Sequence, residues 1–198
     1  AVAPLGQAGP GGAMLWLRTS KVPLRNRDGE IICFSNLGAA KTALGRYAEA
    51  EADLMSAIRL SESLGNPAIS ETLRFLAEAR LGLGNGPGAM ELAQRALGLA
   101  HRSGSPEDLG GAFRVLGLVA SASGPVQGPD GRPLDAPACF AESARAYEAA
   151  GAAAERIRTL REWGLHELQS GDRDRGVGRL REALAAFEAL GLPFEVER

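Results

Sequence analysis

Residues able to do chemistry are few in this chain and scattered along it. The two histidines, His101 and His166, have no acidic or cysteine partners at metal-ligand spacing. Cys33 and Cys139 lie far apart and share no metal or redox spacing; each sits beside a phenylalanine, which predicts two buried thiols rather than a disulfide. The stretch Gly84-Asn85-Gly86-Pro87-Gly88 superficially resembles a phosphate-cradling loop. It lacks the Lys-Ser/Thr continuation and the preceding strand that such a loop requires. No serine occupies a G-x-S-x-G nucleophile motif. Arg173, Arg175, Arg179 and Arg181 alternate with Asp172, Asp174 and Glu182, the pattern of a solvated helix face and not of a nucleic-acid patch. These residues predict a chain that is not an enzyme and holds neither a metal nor a cofactor.

The elements that must carry these residues read as helices. The chain has 198 residues, 45% hydrophobic but only 5% aromatic, and is rich in Ala and Gly. That composition favours helices with closely approaching backbones, and little period-two alternation is present, so strands are not expected. A formal charge of −2 gives no whole-chain drive toward nucleic acid or an anionic membrane. No apolar run reaches bilayer-spanning length and no signal peptide is visible, which predicts a cytoplasmic protein. The chain begins at Ala1 without Met, as a piece of a longer protein would.

Residues 31–65 set the pattern, with Phe34, Leu37, Gly38, Leu44, Gly45, Tyr47, Ala50, Leu54, Ala57 and Ile58 at the spacing of two helical faces joined by a tight turn. Residues 66–104 repeat it with Leu73, Leu76, Ala77, Leu83, Gly84, Ala89, Ala93, Ala96 and Leu97. Gly45 to Gly84 and Ala50 to Ala89 are each 39 positions. A third unit, residues 107–151, begins with Phe113, Leu116, Gly117 and Ala120 and is interrupted by a Pro- and Gly-rich loop at 124–136. The fourth, residues 154–191, carries Leu160, Trp163, Gly164, Gly171, Gly176, Leu180, Ala183 and Leu184. Pro67 and Pro106 are placed to open helices near their first turn. Before the array, residues 1–30 read as a flexible lead-in with a short amphipathic run at 13–20, like the second helix of a truncated repeat, and a turn at Asp28-Gly29. Residues 192–198 form a tail.

Taken together, the four units resemble the tetratricopeptide repeat family. The resemblance implies an all-α fold, a right-handed α-solenoid of stacked antiparallel helical hairpins, and a non-catalytic protein-interaction role. The units run longer than the family's shortest, and with phrases such as REALAAFEALGLP they resemble the arrays of bacterial multidomain regulators of signalling or transcription. Within each unit, counted from its start, family positions four, seven, eight and eleven would line the buried face of the first helix. A polar change at Leu37, Leu76, Leu116 or Leu160 is expected to unravel its repeat. Position eleven holds Lys41, Arg80, Ala120 and Glu167 in place of the family's frequent aromatic, which predicts looser packing there.

Family positions five, six and nine, carried onto this chain, imply a partner-binding groove made by Ser35, Asn36, Arg74, Glu78, Arg114, Leu118, Arg161 and Leu165. Three arginines along one groove would suit an acidic peptide. They would equally be solvated or pair with Glu71, Glu78 and Glu162 on their own helices, where Arg74 with Glu78, and Arg158 with Glu162, are spaced i, i+4. Lysines and asparagines at the positions that clamp a chaperone's terminal carboxylate are missing, as Ala39 shows. Two further functions stand beside the groove: an oligomerisation or scaffold surface, self-associating or packed on a catalytic domain of a parent protein, and a sensor closing on a small ligand.

Overall fold

The computed structural model describes residues 27–65 and 69–191. The expected lead-in helix at 13–20, the helix-opening role of Pro67 and the tail from Leu192 lie outside the described residues. Eight helices follow in order among those described: α1 (Arg27–Ala43), α2 (Tyr47–Ser63), α3 (Ser70–Gly82), α4 (Gly86–Ser103), α5 (Pro106–Ser123), α6 (Ala136–Ala149), α7 (Ala153–Gln169) and α8 (Arg173–Ala189). Each odd helix packs on the even helix that follows, making four antiparallel hairpins. The odd helices also touch one another in sequence, α1 with α3, α3 with α5 and α5 with α7. The stack is therefore an α-solenoid whose first helices share one side.

Local chemistry sets the helix ends. The turn residues Gly45 and Gly84 adopt φ of 72° and 78°, a conformation glycine takes without a Cβ penalty. In the hairpin turns the amides of Arg46, Asn85 and Asp172 donate back to the carbonyls of Lys41, Arg80 and Glu167, each at 2.9 Å, which satisfies a carbonyl of the last helical turn. Asn85 then caps α4 by accepting from the Gly88 amide at 3.0 Å. That bond accounts for the glycine-rich loop as a helix start. Ser105 caps α5, and Pro106 lies in its first turn, where the sequence places it. The turn expected at Asp28-Gly29 is instead the first turn of α1, where Asp28 and Glu30 complement the helix dipole.

Close helix crossings depend on missing side chains. A Cβ on Gly38 would stand 2.4 Å from Leu54, one on Gly117 2.6 Å from the Phe140 ring, and one on Gly176 2.8 Å from the Gly164 carbonyl. A main core runs from Ala50 and Leu54 through Leu73, Leu76 and Leu116 to Phe140. A smaller one in the fourth hairpin gathers Ile157, Leu160, Ala183 and Phe187, and Trp163 packs against both. Each fully buried leucine contributes roughly 1.5–3 kcal/mol. Buried hydroxyls tie hairpins together: Ser35 bonds Thr72 at 2.8 Å, and Ser143 donates to the Gly110 carbonyl at 2.7 Å and meets Thr159 at 3.1 Å.

Several expectations need correction. Leu37 is 47% exposed, so a polar change there would remove little buried area, unlike one at Leu76, Leu116 or Leu160. Only Cys139 is buried; Cys33 is exposed, because it lies on the face of α1 away from α2 and α3. Position eleven is not loose. Lys41 pairs with Asp53 at 2.6 Å, Arg80 with Glu51 at 2.9 Å and Glu167 with Arg179 at 2.8 Å, so three of the four units use it for an ion pair between helices. The insertion also contains two short strands, β1 (Val126–Gln127) and β2 (Pro133–Leu134), paired antiparallel. They bring Val126 into the core beside α5.

Candidate functional site

A cleft of about 670 Å³ runs along the first helices. α1 contributes Ala39 and Thr42, α3 Arg74, Phe75 and Glu78, α5 Arg114 and Leu118, and α7 Glu155, Arg158, Arg161 and Glu162. Tyr47 and Tyr147 reach in from the second helices α2 and α6. Of the eight groove residues expected from sequence, Arg74, Glu78, Arg114, Leu118 and Arg161 meet at this cleft. Ser35 lies behind it, buried in its bond to Thr72, while Asn36 and Leu165 are exposed outside its lining.

The three position-five arginines sit in different surroundings. Arg114 is buried in the middle of the stack, donating to Glu78 at 3.1 Å and to Glu162 at 3.3 Å. One guanidinium thus ties the second, third and fourth hairpins together. Burial opposes its charge, but Glu78 and Glu162 outweigh that and hold it firmly protonated. Burial also pushes the Glu162 carboxyl above its ordinary range; Arg114 opposes the shift but is shared with Glu78, whose own charge adds to it. Arg74 instead pairs with Glu71 at 3.1 Å, a largely exposed carboxylate, and lies 4.3 Å over the Phe75 ring. Of the same-helix pairs, Arg74 with Glu71 and Arg158 with Glu155 form, while Glu78 and Glu162 turn to Arg114 on the neighbouring hairpin.

Tyr147 is one of the cleft residues that sequence reasoning missed, with Tyr47, Phe75 and Glu155. It sits on α6, a second helix, yet its ring enters the cleft across Gly110 of α5, where a Cβ would lie 2.8 Å from it. The signal was a large aromatic opposite a glycine of a neighbouring helix, the preceding one for Tyr147 and the following one for Tyr47, which meets Gly82 at 2.5 Å. Burial pushes the phenol upward, so its hydroxyl stays a donor. The electrostatics of the cleft are mixed, with arginines and glutamates interleaved rather than one sign in excess. Among the described residues, no group of histidines, cysteines and acids could hold a metal, and no helix is long and apolar enough to cross a membrane.

Stacked helical hairpins with small residues at their crossings and one continuous cleft define a repeat scaffold. The comparisons name the kind: residues 27–124, spanning α1 to α5, match the tetratricopeptide repeat family, and the chain carries tetratricopeptide repeats. Among solved structures it is similar to nearly identical TPR-like repeats from Podosopora anserina, described as kinesin light chain. The identity is 17% over 88% of this chain and 92% of that one, with a TM-score of 0.38. A point-substituted variant of the same repeats matches at 17% identity and a TM-score of 0.38, over 87% and 92%. No curated protein matches the chain. Such repeats generally mediate protein–protein interaction.

Proposed function

We propose that this chain is a non-catalytic protein-interaction module that holds an extended or helical segment of a protein partner in its cleft. It would serve as the regulatory or scaffold part of a bacterial signalling or transcription-control protein. The observation that carries the first statement is the cleft itself, continuous across first helices of all four hairpins and floored by Ala39, Phe75 and Leu118. A preformed floor lowers the ordering cost of binding on the solenoid side. The longer units and the REALAAFEALGLP phrase support the second statement.

The arginines divide the cleft. Arg114 is already held by two glutamates; Arg74 and Arg161 line the cleft on either side of it and would face the side chains of an acidic partner. Arg74 is largely buried but its partner Glu71 is exposed, so that carboxylate can be exchanged for one of a bound partner. The test is a peptide selected from a random display library on the immobilised chain. Replacing both Arg74 and Arg161 by Glu is expected to weaken it at least about tenfold, equivalent to about 1.4 kcal/mol. Unchanged affinity would overturn the assignment of the cleft.

Self-association is a second reading, favoured by the exposed Ile32, Leu37 and Leu44 on and just after α1 at one end of the described stack. Sedimentation over a concentration series separates the two: a constant monomer mass removes it.

A further inference from the structure

Three polar atoms at one place in the cleft are buried without a hydrogen-bond partner among the described residues: the Tyr147 hydroxyl, Arg114 Nε and Glu162 Oε2. All three residues line the same cleft. Arg114 and Glu162 already share one bond, from Arg114 Nη1 to Glu162 Oε1 at 3.3 Å, so each keeps one group unused at the contact. Tyr147 is 1% exposed, with its ring seated against Gly110. Buried polar groups are ordinarily bonded, and three exceptions converging on one cleft point to a ligand group that completes them.

The unmet valences specify that group. Arg114 Nε and the Tyr147 hydroxyl are donors, and Glu162 Oε2 is an acceptor, so the complement carries an acceptor oxygen and an N–H on one small frame. We infer that the middle of the cleft is a carboxamide subsite, built by Tyr147, Arg114 and Glu162, that receives an asparagine or glutamine side chain of the bound segment. The inference rests on the cleft being the binding surface. A carboxylate has no N–H for Glu162 and meets the negative charge of Glu78 and Glu162. An ammonium has no acceptor for Arg114 and Tyr147. Because the three atoms are closed off from the open cleft, the carboxamide reaches them only as the side chains covering them move aside, and not by flat contact.

The test titrates the isotope-labelled whole chain with N-acetyl-glutamine methylamide and with the matching glutamate, lysine and methionine compounds, read by amide chemical shifts. The glutamine probe is expected to move Gly110, Arg114, Tyr147 and Glu162 and to bind roughly tenfold more tightly than the glutamate probe. Tyr147→Phe is expected to reduce that preference several-fold while its melting temperature holds or rises, since the hydroxyl has no partner to lose. A purely packing role for Tyr147 would leave the preference unchanged, and that result overturns the subsite. Equal binding of glutamine and glutamate probes at these residues also overturns it but leaves the cleft as the binding surface. A display-selected peptide that shifts only residues away from the cleft overturns both.

Discussion

Arg114 holds two carboxylates from neighbouring hairpins, and removing it would leave Glu78 and Glu162 without the cation they share. Breaking a buried pair by deleting one partner costs about 3–5 kcal/mol. Arg114→Met is therefore expected to lower stability by that amount in denaturant titrations, and Arg74→Met, whose partner is exposed, by less than about 1 kcal/mol. Similar losses from the two would show that the shared bridge does not tie the hairpins. The cysteines divide as sharply. Burial pushes the Cys139 thiol up to about 12, so it stays protonated and sheltered at neutral and mildly alkaline pH, while Cys33 is exposed. A thiol reagent on the folded chain should label Cys33 alone, with Cys139 reacting only on unfolding; prompt labelling of both would contradict the packing around α6. That the arginines recur at one position was legible in the sequence. Glu71 as a same-helix partner of Arg74 was legible too; the partners of Arg114 were not, because Glu78 and Glu162 lie 36 and 48 positions from it. Tyr147 was hidden for the same reason: its direction is set by a glycine on the preceding helix.

At the scale of the element, small residues decide how closely helices approach. Alanine in place of glycine ordinarily steadies a helix by about 0.5–1 kcal/mol. At Gly117 the new Cβ would meet the Phe140 ring at 2.6 Å, whereas at Gly178 in α8 nothing lies within 4 Å. Gly117→Ala is expected to destabilise by about 1–3 kcal/mol and Gly178→Ala to stabilise, as read from paired thermal or denaturant melts. The same sign for both would mean that α5 and α6 do not cross as closely as described. Turn glycines and small crossing residues act within one unit, so the repeating spacing was visible in the sequence. The strands of the insertion were not: each is two residues long, too short to show alternation, and Val126 is drawn inward by α5 rather than by its own neighbours. Position eleven was misread because its ion pairs span helices, so a charged residue there looked like a gap in packing.

The whole molecule is a row of hairpins in which each first helix leans on the next, and the cleft is the consequence of that row. Repetition made the fold legible: one hairpin buries too little to stand alone, and four in register bury a main core with a smaller one in the last hairpin, Trp163 packing against both. The function is less legible, since position along the row places a residue near the cleft without saying whether its side chain is free to meet a partner. Ser35 and Arg114 face inward and are bonded within the chain, while Arg74 keeps only an exposed partner. The most direct measurement is amide hydrogen exchange on the whole chain with and without a display-selected peptide. Binding in the cleft predicts slowed exchange in α3, α5 and α7 with α4 and α8 little changed; protection confined to α4 or α8 would contradict it.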